Sequence, residues 1–284
     1  MRVLVLGASG MLGNAVVRVL SENPRFEVRG TVRAERSKRF FDEAIAERFI
    51  VGVDVENQDS LTQAFIDAKP EIVVNCIGLV KQLAAADDPL QAIPINTLLP
   101  HRLAKLCALA GARLVHISTD CVFSGAQGSY LECDPSDAED LYGKSKYLGE
   151  VSYPNAITLR TSIIGHELQN AHSLIDWFLA QEDKCSGYTR AIFSGVPTVV
   201  LAQIIRDVVI PRPELHGLYH VAARPISKYD LLKLVADIYG KQIDIVPDGK
   251  LQIDRSLNGA RFREAADYEA PQWDEMIKLM YTYK

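Results

Sequence analysis

The segment "DLYGKSKYLGE" (140–150) places Tyr142 and Lys146 four residues apart, one turn along a helix face. A free phenol, with a reference pKa of ~10, exchanges protons poorly at neutral pH. A neighbouring ammonium favours the phenolate and should draw that pKa toward the working range. Upstream, "HISTDCVFSG" sets Thr119 at the end of an apolar run, where its hydroxyl can share one substrate oxygen with the phenol. Tyr-x-x-x-Lys also arises by chance, as a surface tyrosine beside a solvated lysine. The order along the chain argues for chemistry: a glycine loop, then a strand-end threonine, then the pair.

That glycine loop is "GASGMLG", with Gly7, Gly10 and Gly13 directly after a strand and opening a helix. Gly7 permits the tight turn, Gly10 lets backbone approach a pyrophosphate, and Gly13 allows close helix–strand packing. With Ser9, Met11 and Leu12 they form a phosphate-binding helix N-terminus, the signature of a dinucleotide site. Glycines punctuate strand–helix turns in general, so the strand–loop–helix context carries the argument. At the end of the second strand, where NAD enzymes place a carboxylate for the ribose 2′-hydroxyl, stand Gly30, Thr31 and Val32. Arg33, Arg36, Lys38 and Arg39 follow. A guanidinium suits bidentate capture of a 2′-phosphate, so NADP(H) is preferred and NAD(H) stays open. A solvated basic helix start is the competing reading.

These groups need a scaffold, and the hydrophobic pattern supplies one. "RVLVL" reads as a strand, "MLGNAVVRVLSE" as a helix and "FEVRGTVR" as a second strand. "SKRFFDEAIAE" reads as a helix, "FIVGVDV" as a third strand ending at Asp54, and "SLTQAFIDA" as a helix capped by Ser60. "EIVVNCIG", "RLVHIS", "AITLRTSIIG" and "GLYHV" continue the strand series. Alternation at this spacing means βαβ units, a parallel sheet and a Rossmann-type, doubly wound α/β domain. The expected division is a dinucleotide-binding domain over 1–163, with strands near 196–223 returning to it. A smaller substrate-binding lobe is expected over 164–195 and 224–284. Trp177 and Trp273 lie on apolar helix faces and read as core.

Composition narrows the class. The 284 residues carry a formal net charge of -5, with 48% hydrophobic and 24% charged residues, an ordinary globular balance. An acidic chain is a poor partner for nucleic acid. Five scattered cysteines without a Cys-x-x-Cys pair, and six histidines without a close ligand pair, fit reduced thiols and no metal site. Apolar runs broken by Gly7 and Gly10, or by Arg206 and Asp207, offer neither a signal peptide nor a membrane span. The cytoplasm is the expected compartment.

The spacing G-x-x-G-x-x-G, together with Thr119, Tyr142 and Lys146, resembles the extended short-chain dehydrogenase/reductases. "NCIG" (75–78), Ile95-Asn96, "LRTSIIG" and "RFREAADYEAPQWDEMI" extend the likeness over nearly the whole chain. It is most similar to the dTDP-4-dehydrorhamnose reductase branch of sugar-nucleotide enzymes. The resemblance implies Thr119, Tyr142 and Lys146 as the catalytic set. It puts Asp54 and Val55 at the adenine, and Asn75, Cys76 and Gly78 along the dinucleotide. It suggests Lys81 or Gln82, Asp120 and Cys121 on the substrate side, with Arg190 a diphosphate ligand. The implied reaction is NAD(P)H-dependent reduction of a nucleotide-linked 6-deoxy-4-keto hexose, for deoxysugar and surface polysaccharide synthesis. Homodimer formation is left open.

Three alternatives share the scaffold. The 4,6-dehydratases carry Asp-Glu after the strand-end threonine, and here Cys121 replaces the Glu. The reductases commonly have an aromatic residue there. The 4-epimerases usually hold the ribose with an acidic residue after strand two, which this chain lacks. Some relatives bind dinucleotide and a partner as non-catalytic regulatory subunits, but these tend to lose the Tyr or the Lys.

Overall fold

The computed structural model describes residues 1–81, 84–169 and 173–284. In chain order the strands are β1 (Arg2–Leu6), β2 (Glu27–Val32), β3 (Ile50–Val51), β4 (Ile72–Asn75), β5 (Arg113–Thr119), β6 (Ala156–Thr161) and β7 (Ile163–Ile164). They continue as β8 (Lys184–Tyr188), β9 (Ala191–Phe193), β10 (Val196–Pro197), β11 (Gly217–His220), β12 (Ile226–Ser227), β13 (Asp244–Asp248) and β14 (Ile253–Asp254). The helices are α1 (Met11–Ser21), α2 (Glu43–Ala46), α3 (Gln58–Ala68), α4 (Pro89–Ala92), α5 (Leu99–Ala110) and α6 (Leu141–Leu148). Then come α7 (Leu174–Ala180), α8 (Thr198–Ile204), α9 (Lys228–Tyr239), α10 (Ala260–Ala266) and α11 (Trp273–Thr282).

Seven strands form one sheet in the order β11-β6-β5-β4-β1-β2-β3, and every pairing in it is parallel. This is the Rossmann order: the chain winds outward from β1 through β2 to β3, then returns past β1 through β4. The reversal opens a crevice at the carboxyl ends of β1 and β4. Alternation within β1 shows why both faces need helices. Val3 and Val5 join the core under α1 and α8, while Leu4 and Leu6 join the core under α3 and α5. Beyond β6 the chain leaves the sheet. Short pairs β7·β10 and β8·β13 and a three-stranded sheet β12-β9-β14 stand at its carboxyl edge.

Four local expectations are corrected. The third strand ends at Val51, because Gly52 takes a φ of 78° and turns the chain out of the sheet before Asp54. The expected helix over 37–47 is broken into a 3-10 turn, Glu35–Phe40, and the four-residue α2. Phe41 interrupts it with extended backbone (φ -126°, ψ 152°), packing its ring edge-on to Phe49 at 4.7 Å. Asn57, not Ser60, caps α3: its side chain accepts from the amides of Asp59 and Ser60. Trp177 is 39% exposed rather than core, whereas the Trp273 indole donates to the Arg224 carbonyl at 2.7 Å and lies against Phe193.

Candidate active site

The Gly-rich loop leaves β1 at Leu6. Gly7 has a φ of 80°, and the Gly10 amide donates to the Gly7 carbonyl at 3.0 Å. A Cβ at Gly13 would fall well inside contact distance of the Gly7 carbonyl oxygen, so only glycine lets the first turn of α1 lie this close. The N-cap is Gly10 itself, with no capping side chain and no acidic residue in the first turn. The leading amides of α1 therefore face the crevice, and that end of the helix favours an anion. Ser9 lies on the loop just before this cap.

Across the crevice, β4 ends at Asn75, whose Oδ1 accepts the Ile77 amide at 3.1 Å. Its Nδ2 lies 3.2 Å from the buried His116 Nδ1. Burial and the Lys146 ammonium hold His116 well below the usual histidine range, so this ring is neutral and its Nδ1 accepts. The exit loop is fixed a second time by Asn96, which accepts from the Leu79 amide at 2.9 Å and donates to Ser145 Oγ at 3.2 Å. Asn96 sits in a π-helical stretch, Ile93–Leu98, between α4 and α5. Pro94 and Pro100 remove two helical donors there, and the widened turn brings Asn96 inward.

The reactive end is where β5 and α6 meet. Asp140 caps α6 through the Gly143 amide at 2.7 Å. Gly143 has no room for a side chain, because a Cβ would collide with the Cys121 carbonyl. This close approach carries Tyr142 to the cavity wall that Thr119 also lines, where the Thr119 hydroxyl donates to Asp120 Oδ1 at 3.2 Å. Lys146 is buried, 5% exposed, and donates from Nζ to the Ile117 carbonyl at 2.8 Å. Burial, only partly offset by Glu150, lowers its pKa to about 8. Tyr142 departs from expectation. Burial raises its pKa above the ordinary tyrosine value, the Cys121 thiol, Asp120 and Asp140 add to this, and Thr119 only partly opposes it. The phenol is thus held protonated, the form that gives a proton away.

Glu150 ties this helix to the sheet. Ser118 Oγ donates to it at 2.7 Å, and Arg160, only 1% exposed, grips it with Nε at 2.8 Å and Nη2 at 2.6 Å. Arg160 Nη1 also meets His220 Nε2 at 2.9 Å, and its guanidinium lies over the Phe123 ring.

One cavity of about 560 Å³ gathers Gly10, Met11, Leu12, Asn75, Cys76 and Gly78 with Lys81, Thr119, Asp120, Cys121, Tyr142 and Lys146. Its volume suits a small organic ligand. Lys81 is engaged with Asp140 at 2.6 Å, which couples the cavity rim to the α6 cap. Burial raises the Asp120 carboxyl above its ordinary value and pushes the Cys76 and Cys121 thiols up to about 12. Gln82 lies outside the described residues. Arg33 is exposed at the end of β2, and neither it nor Arg36 has a protein partner among the described residues; Lys38 is paired with Glu35 at 2.9 Å.

Other expected residues are not among those that line the cavity. Asp54 is exposed, and its carboxylate accepts the Glu56 amide within its own turn, at 3.0 Å. Val55 is buried among Leu61 and Phe65. Arg190 is exposed on the turn between β8 and β9 and is not among the residues that line the cavity. Arg255 and Lys228 do line it. Sequence reading missed both, because only the pairing of β14 and β12 with β9 brings them there.

Among the described residues no cluster of His, Cys, Asp or Glu could hold a metal ion, and no helix is long and apolar enough to cross a membrane. All five cysteines are free.

Comparison with known proteins follows the same lines. The chain is 28% identical to a dTDP-4-dehydrorhamnose reductase from Aggregatibacter actinomycetemcomitans, covering 99% of both chains. It is 26% identical to methionine adenosyltransferase 2 subunit beta from Xenopus laevis, over 84% of this chain and 72% of that one. Its fold superposes with a TM-score of 0.81, at 22% identity, on the crystal structure of a Bacillus anthracis dTDP-4-dehydrorhamnose reductase in complex with NADP, covering 100% and 99% of the two chains. The family model of the RmlD substrate binding domain matches residues 1–280, and the chain belongs to that family.

Proposed function

We propose that this protein is an NADPH-dependent, short-chain-type oxidoreductase that reduces the 4-keto group of a nucleotide-linked 6-deoxy-4-keto hexose. Such a step serves deoxysugar and surface polysaccharide synthesis, and we place it in the cytoplasm. The observation that carries the reading is Thr119 and Tyr142 together on the wall of a cavity shared with Lys146 and the glycine-rich crevice. The lobe of 164–195 and 224–284 supplies the substrate-side wall, through residues such as Phe193, Lys228 and Arg255.

The crevice fits a dinucleotide: uncapped amides open α1, Gly13 keeps the approach clear, and Asn75 and Gly78 face them from β4. Arg33 and Arg36 are free to take a 2′-phosphate. When bound, the reduced nicotinamide supplies the hydride. Tyr142, protonated at neutral pH, gives its proton to the ketone oxygen as charge develops there. Thr119 donates a second hydrogen bond to that oxygen and fixes its position. Lys146 lines the same cavity, anchored on the Ile117 carbonyl, and supplies the positive charge that would stabilise the phenolate left behind. Cys121, its thiol pushed up to about 12, cannot serve as the base that elimination would need.

The similarity to a methionine adenosyltransferase subunit favours a second reading, a dinucleotide-binding regulatory subunit. Thr119, Tyr142 and Lys146 in one cavity weigh against it, and the arginines after β2 weigh against an epimerase that retains NAD. Tyr142→Phe separates the readings. Turnover should fall by about a hundredfold to ten-thousandfold, while dinucleotide affinity, measured by fluorescence titration, changes by no more than a few-fold. Undiminished turnover would remove Tyr142 from the mechanism.

A further inference from the structure

The Thr119 hydroxyl stands at the end of β5 with its hydrogen bonds already assigned. It caps a 3-10 turn, Asp120–Val122, by accepting the Cys121 amide at 3.2 Å. It donates in turn to Asp120 Oδ1, also at 3.2 Å. A hydroxyl has one proton and two lone pairs. The amide takes one lone pair and the proton points at Asp120, so none is left to hold a ketone oxygen. The contact to Asp120 is long for two oxygens, whose hydrogen bonds ordinarily close to ~2.8 Å. Reversed, the same contact has the opposite effect. A protonated Asp120 donates to the second lone pair of Thr119 Oγ, and the Thr119 proton becomes available to the cavity.

The surroundings of Asp120 favour that reversal. Asp120 is 7% exposed on the cavity wall, and among the described residues no cation comes within ion-pair distance of it. The charge that faces it is Arg255, the residue after β14, which also acts on Asp137 and Asp140. Arg255 spends Nε on the Phe123 carbonyl at 2.7 Å, and its Nη1 lies 3.8 Å from Cys121 Sγ. The other titratable groups that sense Asp120 are Tyr142 on α6 and its chain neighbour Cys121. Burial keeps both protonated, so neither adds a charge. Burial also outweighs Arg255, the Cys121 thiol and the Thr119 and Ser162 hydroxyls, and raises the Asp120 carboxyl above its ordinary 3.8. An enclosed carboxylate without an ion-pair partner is costly, whereas the acid form needs only an acceptor within reach. Thr119 Oγ is that acceptor.

We infer that Asp120 is a positioning residue that sets the direction of the Thr119 hydroxyl. As an acid it donates to Thr119 Oγ and frees the Thr119 proton for the ketone oxygen; as a carboxylate it takes that proton back. The inference rests on the reading of the protein as a ketone reductase and adds a side chain that acts behind Thr119. No proton passes between Asp120 and the substrate: Tyr142 gives its proton to the developing alkoxide, and Asp120 acts only through Thr119. The active arrangement is complete below the pH at which Asp120 ionises and is lost as pH rises through it. Reduction should therefore fall in two steps with rising pH, one belonging to Asp120 and one to Lys146.

The pH dependence of single-turnover NADPH oxidation with a nucleotide-linked 4-keto-6-deoxy sugar tests this. The unaltered protein should show both steps. Asp120→Asn keeps a donor toward Thr119 Oγ but cannot ionise, so one step should vanish while the Lys146 step stays. Glu150→Gln should move the Lys146 step alone. Asp120→Ala leaves the hydroxyl unheld and should be slower than Asp120→Asn by roughly tenfold or more. Thr119→Val should also abolish the Asp120 step, and adding Asp120→Asn to it should change nothing further. Infrared difference spectra of the NADPH-loaded protein should show a carboxylic-acid band that titrates with the same midpoint and is missing from Asp120→Asn. Persistence of the step in Asp120→Asn would overturn the inference and leave the reductase reading standing. So would its survival in Thr119→Val, which would put Asp120 directly on the substrate. No turnover by the unaltered protein with any such sugar would remove both.

Discussion

At the scale of single residues, the site sets its protonation states through burial. Tyr142 keeps its proton because its hydroxyl is desolvated beside Asp120, Asp140 and Cys121, and Lys146 loses basicity for the same reason. The sequence spacing suggested the opposite sign for Tyr142, because spacing reports the nearby ammonium and says nothing of desolvation. Lys146 titrates at about 8, well under the 10.5 of an exposed lysine. Ketone reduction should therefore decline as pH rises through about 8 and the ammonium is lost. Stability should move the other way. Above pH 8 the folded chain releases a proton that the unfolded chain keeps to about 10.5, so this residue's destabilising contribution fades as pH rises between those values. Glu150 raises the Lys146 pKa. Glu150→Gln should shift the alkaline limb of the kcat profile to lower pH and, by leaving Arg160 buried without its carboxylate, lower the melting temperature. An unmoved limb in a folded variant would detach Glu150 from the site's electrostatics.

Elements decide whether these residues meet. Tyr142 reaches the cavity wall that Thr119 also lines because Asp140 starts α6 at the right residue and Gly143 lets it lie on the Cys121 carbonyl. Gly143→Ala should push the first turn of α6 away and cost about a hundredfold in kcat, with dinucleotide affinity nearly preserved. A loss confined to dinucleotide affinity would place the strain elsewhere. Several elements were legible from period alone: β1, α1 and β2 fall where the hydrophobic pattern sets them. The misread region runs from Glu35 to Asp54. There the Phe41–Phe49 contact and the turn at Gly52 override local propensity, and tertiary contacts of that kind leave no periodic signal.

For the whole molecule, sheet order follows from strand–helix alternation, and with it the crevice between β1 and β4. Half the cavity was therefore legible, since the dinucleotide side is built from loops that follow consecutive strands. The substrate side was not. Arg190, which the resemblance suggested, is exposed on the turn between β8 and β9, while Arg255 and Lys228 reach the cavity through pairings between strands some 30 to 60 residues apart. Cofactor preference is testable at Arg33 and Arg36, which follow β2, exposed and without protein partners among the described residues. Replacing both with Ser should weaken NADPH roughly tenfold or more while sparing NADH, as measured by the ratio of kcat/KM for the two; an unchanged ratio would assign these arginines to solvent. The central claim is that the assembled protein is a reductase rather than a dinucleotide-binding subunit. It is tested most directly by following NADPH absorbance with a panel of nucleotide-linked 4-keto-6-deoxy sugars. Stoichiometric oxidation of NADPH with at least one of them, yielding the 4-hydroxy sugar, is the expected result; bound dinucleotide with no turnover on any of them would contradict it.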